Sequence, residues 1–269
     1  MNQIKEIIIT DNDVPLVSWS KSSQNANENI GLINVTAKLT IPSYTDVTIP
    51  YVVSGTTDSN DHQLNDGNLS IPKGVTSTIL DINIIDDNTD EPSETLILTF
   101  GTPVNAAVNS SNNTFILTLA DNENPQLNWK YLTQTLNENA GTITLTANLT
   151  IPAYTDVIVE YTVAGSADKT IDHQLINGNV TIPAGSTSIT ITSQIVDDET
   201  VEPVEEIIVS ITNVTNASKG LSDTHTAKIT DNDLPVVKWQ NIPLSLSESN
   251  SVIPLTLTMD KVSYTSVSL

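Results

Sequence analysis

The chain contains no cysteine, which excludes disulfides and thiol chemistry and leaves metal ions as the staple open to an extracellular protein. It contains no arginine: its 10 basic residues are all lysine, against 32 acidic ones, for a formal net charge of -22. Nucleic acid and anionic membrane both require a basic footprint, so this balance opposes either as a partner. No apolar run approaches the roughly 20 residues of a bilayer span, so no membrane insertion is expected from this segment, and the first residues lack a signal-peptide pattern. No stretch offers a convincing helical face.

What is present is a two-residue period. Stretches such as Thr78-Ile79-Leu80-Asp81-Ile82-Asn83-Ile84 and Thr187-Ser188-Ile189-Thr190-Ile191-Thr192 alternate apolar and polar residues and are rich in Ile, Val and Thr. Strands are predicted at 16–20 (A), 31–39 (B), 47–54 (C), 68–71 (D), 77–84 (E), 94–100 (F) and 114–120 (G), separated by turn residues such as Asp66-Gly67 and Pro72-Lys73-Gly74. Seven short strands in about 100 residues point to an all-β chain of tandem immunoglobulin-like, seven-stranded antiparallel β-sandwiches. Pro50, inside strand C, has no N–H for a ladder and implies an edge position or a bulge.

Self-similarity sets the domain organisation. Trp19, Trp129 and Trp239 lie 110 residues apart, as do Glu28, Glu138 and Glu248, and Tyr44, Tyr154 and Tyr264. Asp11-Asn12-Asp13 returns as Asp121-Asn122-Glu123 and as Asp231-Asn232-Asp233, while one inserted residue makes Asp61 correspond to Asp172. Residues 1–13 are expected to be the final strand of a truncated repeat, 14–123 and 124–233 two complete repeats, and 234–269 the start of a truncated third. On this reading the chain is a fragment of a longer array.

The acids are concentrated. Ile84-Ile85 is followed by Asp86, Asp87, Asp90, Glu91 and Glu94, and the run returns after Ile195-Val196 as Asp197, Asp198, Glu199, Glu202 and Glu205. At about 4.5 Å and an effective dielectric of about 20, each carboxylate pair repels by roughly 3 to 4 kcal/mol, so such a run calls for a cation. If successive strands alternate in direction, connections A–B, C–D and E–F and the exit of G share one end of the sandwich. That end then collects Glu28, Asp61, Asp86, Asp87, Glu91, Glu94, Asp121 and Glu123 in the first repeat. In the second it collects Glu138, Asp172, Asp197, Asp198, Glu202, Glu205, Asp231 and Asp233; the opposite end of the first repeat carries only Asp46. Solubility would not require such gathering. Hard oxygen donors from several loops, without cysteine or paired histidine, suit Ca2+ better than Mg2+, which prefers to keep its waters.

The segment from Asp61-His62-Gln63 to Pro72-Lys73-Gly74, the run Ile84-Ile85-Asp86-Asp87 with Glu91 and Glu94, and the closing Asp121-Asn122-Glu123 resemble the Calx-beta domain of sodium/calcium exchangers, integrins and bacterial surface proteins. Spacing and residue type agree in both copies. The resemblance implies a calcium cluster in the loops at one end, with Glu28, Asp61, Asp86, Asp87, Glu91, Glu94, Asp121 and Glu123 as ligands, and the equivalent second set. Two departures stand out. His62 and His173 occupy a position where the family often has an aromatic, and Asn122 and Asn232 stand between acids where the family often has a third acid, implying lower affinity or fewer ions.

Because strand G leaves at the acidic end, calcium there would pin the short linkers Asn124-Pro125 and Leu234-Pro235 and stiffen a string of repeats, making neighbouring repeats of the same chain partners. The expected role is a calcium-rigidified spacer in a large extracellular or cell-surface, adhesin-like protein, bacterial by this reading, whose adhesion target is not specified. The alternatives are a regulatory calcium sensor of a membrane protein and a sugar- or protein-binding module. Paired carboxylates also occur in glycosidases, but these acids repeat identically with no distinguished pair, so no enzyme is expected. His62 and His173 read as surface-exposed loop residues, and the tryptophans as core or junction residues.

Overall fold

A computed structural model of the chain describes residue 7, residues 12–240, residue 248, residues 255–264 and residues 266–268. The strand expected within residues 1–13 lies almost wholly outside them. Two compact units emerge, residues 1–123 and 124–269.

In the first unit the alternating stretches become β1 (Leu16–Trp19), β2 (Ser23–Asn27), β3 (Leu32–Leu39), β4 (Val47–Gly55), β5 (Gly67–Ile71), β6 (Ser77–Asn83), β7 (Glu94–Phe100), β8 (Ala107–Val108) and β9 (Thr114–Ala120). One sheet has the order β6-β3-β1-β8 and the other β2-β9-β7-β4-β5. Every second residue of the inner strands faces the partner sheet: Val17, Trp19, Val35, Ile49, Leu96, Leu98, Phe115 and Leu117 are inaccessible to solvent. Each such side chain contributes about 1.5 to 3 kcal/mol through burial. Trp19 stacks on Phe100 with ring centroids 4.1 Å apart.

All seven expected strands are present, and strand A continues further than its pattern showed. After β1 has paired antiparallel with β3, the chain crosses to the other sheet, where β2 runs parallel to β9. Ser23-Gln24-Asn25-Ala26-Asn27 carries no large apolar residue, so only backbone bonding to β9 makes it a strand. The crossing matters for function, because it delivers the next residue, Glu28, beside the end of β9. Pro50 lies in an inner strand, and of its two expected settings the irregular one holds. The ladder from β4 to β7 ends at Tyr51↔Phe100, and the Pro50 carbonyl instead accepts the Gly101 N–H at 2.8 Å. In the second unit the register shifts at the same place, between Glu160 and Tyr161.

The second unit repeats the plan with β10 (Gln126–Trp129), β11 (Thr133–Asn137), β12 (Thr142–Leu149), β13 (Val157–Gly165), β14 (Gly178–Ile182), β15 (Ser188–Gln194), β16 (Glu205–Thr215), β17 (Ser218–Lys219) and β18 (Thr224–Thr230). Its sheets are β15-β12-β10-β17 and β11-β18-β16-β13-β14. Here Trp129 packs edge-on to His225 and donates its indole N–H to the Asp223 carbonyl at 3.1 Å. Beyond it, β19 (Val237–Trp239) pairs with β20 (Leu257–Met259) in the register Val237↔Met259 and Trp239↔Leu257. That is the register of β1 on β3, Val17↔Leu39 and Trp19↔Ala37, two repeat lengths on. Among the described residues no second sheet covers this pair, and Trp239 is 58% exposed, unlike the buried Trp19 and Trp129.

The end away from the acids is tied by polar backbone contacts. Asp46 Oδ1 accepts the Lys73 N–H at 2.9 Å, and its carbonyl accepts from Asn105 Nδ2 at 2.9 Å. Asp156 repeats both bonds with Ala184 and Asn216, so the acid at this end is a loop fastener in each copy.

Candidate metal centres

Each acidic end is assembled around a buried glutamate. Past β2 the chain makes a one-turn 3-10 helix, Glu28–Ile30, closed by Gly31 at φ 75, a conformation that disfavours side chains. The Gly31 carbonyl accepts the Ile84 N–H at 2.6 Å, fastening this turn to the strand end where the acidic run begins. Glu28 is thereby only 5% exposed, and its Oε1 accepts the N–H of Asp87 at 3.0 Å. The second unit reproduces the device: Gly141 accepts from Ile195 at 3.1 Å and buried Glu138 accepts from Asp198 at 2.9 Å.

The connection from β4 to β5 supplies the second anchor. Asp61 is buried, its Oδ2 accepting the Asp58 N–H at 2.5 Å and its carbonyl the Ile85 N–H at 2.8 Å. Asp172 makes the same pair of bonds with Asp168 and Val196. The following histidines, expected at the surface, are instead buried, His62 at 7% and His173 at 1% exposure. Each forms a bridge to the end of the neighbouring strand, His62↔Ile84 and His173↔Ile195, which draws the loop inward and closes its path to solvent. His62 Nδ1 accepts the Leu64 N–H at 3.1 Å, so the ring proton sits on Nε2 and reaches Thr57 Oγ1 at 3.1 Å. His173 Nδ1 accepts the Leu175 N–H at 3.1 Å. Burial lowers the pKa of both imidazoles, which therefore stand as neutral pins beside Asp61 and Asp172.

Four carboxylate triads result, each offering one oxygen per residue within 4.8 Å of the others: Glu28, Asp86 and Glu123; Asp61, Glu91 and Glu94; Glu138, Asp198 and Asp233; Asp172, Glu202 and Glu205. Asp87, Asp121, Asp197 and Asp231 belong to no triad but line the same ends. The charge of Asp87 adds to the burial that raises the pKa of both Glu28 and Glu91. Asp231 ties two loops, Oδ2 accepting the Glu202 N–H at 3.1 Å and Oδ1 the Asp233 N–H at 2.8 Å.

The electrostatics of these ends are those of a site built for a cation. Burial, followed by a hydrogen bond to Asp61, pushes the Glu94 carboxyl up to about 7. Burial and Asp172 do the same to Glu205, and burial and Asp121 to Glu123, each to about 7. Burial also raises Glu138 and Glu202, each further raised by neighbouring aspartates. Asp121 Oδ1, Glu123 Oε2 and Asp233 Oδ2 are buried with no hydrogen-bond partner, a costly state for a carboxylate oxygen. The ion pairs Lys219–Asp223 and Lys228–Glu206 involve none of these acids; Lys261 Nζ reaches the second acidic run, donating to the Glu199 carbonyl. Oxygen-only donors and orphaned oxygens fit a hard divalent cation of calcium type.

Comparison with known proteins places this geometry. A model of the Calx-beta domain matches residues 10–123 and again residues 121–235. Adhesion G-protein coupled receptor V1 of Danio rerio is 25% identical over 287 aligned positions, which take in 95% of this chain and 5% of that protein. The chain thus spans a small part of that relative's length. Among solved structures, CBD12 from CALX1.2 is similar at 17% identity and a TM-score of 0.39, over 80% of this chain and 99% of that one. The apo-form Calx CBD1 domain is similar at 21% identity and a TM-score of 0.39, over 41% of this chain and 100% of that one.

Proposed function

Because this chain belongs to the Calx-beta domain family, a calcium-binding type of module, we propose that its acidic ends hold Ca2+ and that it serves as a calcium-rigidified spacer in an extracellular or cell-surface protein. The observation that carries the reading is the pair of carboxylate triads at each end, with buried carboxylate oxygens left unpartnered beside them. The ligands are Glu28, Asp61, Asp86, Asp87, Glu91, Glu94, Asp121 and Glu123 in one copy. In the other they are Glu138, Asp172, Asp197, Asp198, Glu202, Glu205, Asp231 and Asp233. The repeats run 14–123 and 124–233, with the flanking segments read as parts of further copies, a reading supported by the shared register of β19–β20 and β1–β3.

Each repeat leaves its acidic end through a linker of very few residues, so ions that fix Asp121–Glu123 also restrain the start of the next repeat. The extracellular setting is supported by the adhesion receptor among its relatives. Calorimetric titration with calcium tests the binding, with Asp86→Ala and Asp87→Ala expected to weaken it. A site held at about 100 times its Kd adds about 2.7 kcal/mol to the folded state. Small-angle scattering with and without chelator tests the spacer role. A shorter or broader distance distribution without calcium is expected, and an unchanged one, with binding intact, leaves a sensor or docking module instead.

A further inference from the structure

The amide of Asn122 is oriented without ambiguity. Its Oδ1 receives the backbone N–H of Asn29 at 3.1 Å, a group that only donates, so its NH2 must face the other way. There it meets Asp86 Oδ1 at 3.2 Å and Glu123 Oε1 at 2.9 Å, two oxygens of one carboxylate triad. Asn232 is oriented the same way in the second unit, accepting from Asn139 N–H at 3.1 Å and donating to Asp197 Oδ1 at 3.2 Å, an acid beside the triads rather than in one. An aspartate at either position would keep the backbone bond with one oxygen and bring the other against Asp86 or Asp197. Two anionic oxygens in that contact call for a cation or a proton between them, whereas the asparagine puts an N–H there.

We infer that Asn122 and Asn232 each take the place of one calcium ion, their side-chain N–H groups hydrogen-bonding the Asp86 and Asp197 carboxylates so that each repeat binds one ion fewer than a repeat with an acid there. The inference rests on the calcium reading above. The consequence is a loop corner that stays closed in the absence of metal: the turn carrying Glu28, the start of the acidic run and the exit of β9 remain joined through one amide. Calcium then completes the remainder of the end rather than assembling all of it.

The test is calcium stoichiometry by equilibrium dialysis, together with melting in chelator, for the wild type and the double variants Asn122→Asp/Asn232→Asp and Asn122→Ala/Asn232→Ala. The aspartate pair is expected to bind one more calcium per repeat, two over the chain, and to melt at a lower temperature than wild type in chelator. The alanine pair, which has neither N–H nor added charge, is expected to melt lower in chelator without taking up extra calcium. An unchanged calcium count in the aspartate pair overturns the inference, whatever its melting temperature. A wild type that binds no calcium overturns the calcium reading itself, so the two failures are distinguishable.

Discussion

The backbone N–H of Asp87 reaches the buried carboxylate of Glu28 at 3.0 Å across 59 residues of chain, and Asp198 reaches Glu138 at 2.9 Å across 60. The acidic loop is therefore shaped around a glutamate already held by the fold. Pre-organisation of this kind spares part of the ordering cost that a cation would otherwise have to offset.

Glu28→Gln and Glu138→Gln separate charge from shape. Glutamine keeps an acceptor for the Asp87 and Asp198 N–H groups while removing a buried charge, so the metal-free protein is expected to melt no lower than wild type. Calcium affinity should fall by about tenfold or more, because ligand charge tunes such sites over decades. Glu28→Ala instead strands the Asp87 N–H, at about 1 to 3 kcal/mol, and should lower both. Melting in chelator and calcium titration, run side by side, check the contrast.

Stability without calcium should decline as pH rises. Glu94, Glu123 and Glu205 have folded pKa values of about 7 against an ordinary 4.5, so between these values the native state holds more protons than the unfolded chain. Their contribution is complete below about 4.5 and lost as pH passes through about 7. Thermal melts in chelator at pH 5 and pH 8 should show the higher midpoint at pH 5. Saturating calcium, which binds the ionised carboxylates, should remove or reverse that order and release protons on binding near neutrality. A midpoint in chelator that climbs across this interval would contradict the assignment.

His62→Ala and His173→Ala remove the neutral pins behind Asp61 and Asp172. Each leaves a leucine N–H without its acceptor, at about 1 to 3 kcal/mol in urea unfolding with chelator present. Calcium affinity should drop as well, since the loop carrying the aspartate loses its tie. His62→Asn, whose carbonyl oxygen sits near the position of Nδ1, should recover part of both.

Asp46→Ala is the contrast from the far end. Losing the bond to the Lys73 N–H should lower stability by about 1 kcal/mol, with calcium titration indistinguishable from wild type. An altered calcium isotherm would show that the two ends are coupled.

Much of the fold was legible because its signal is local. Period-two alternation located β7 at Glu94–Phe100 and β9 at Thr114–Ala120, the same residues as strands F and G of the sequence reading. β2 is not legible, because Ser23–Asn27 has only Ala26 as an apolar residue and becomes a strand by bonding to β9. His62 was misjudged for a related reason. Whether a loop imidazole meets water depends on the bridge it makes to Ile84, a partner more than twenty residues away whose position no local pattern encodes.

From its residues alone the chain specified alternating strands, a repeat of about 110 residues and the side of each repeat that gathers the acids, because hydrophobic period and strand direction can be counted along one dimension. Only the folded chain decided how those acids divide. Asp86 joins Glu28 and Glu123 in the first unit, yet in the second the triad takes Asp198 rather than Asp197, the counterpart of Asp86. Neither that choice nor the orientation of the Asn122 and Asn232 amides, whose Oδ1 atoms accept the Asn29 and Asn139 N–H groups, can be counted along the chain. Both are properties of chain path in three dimensions, and the two copies, which close with Glu123 in one and Asp233 in the other, divide their acids differently.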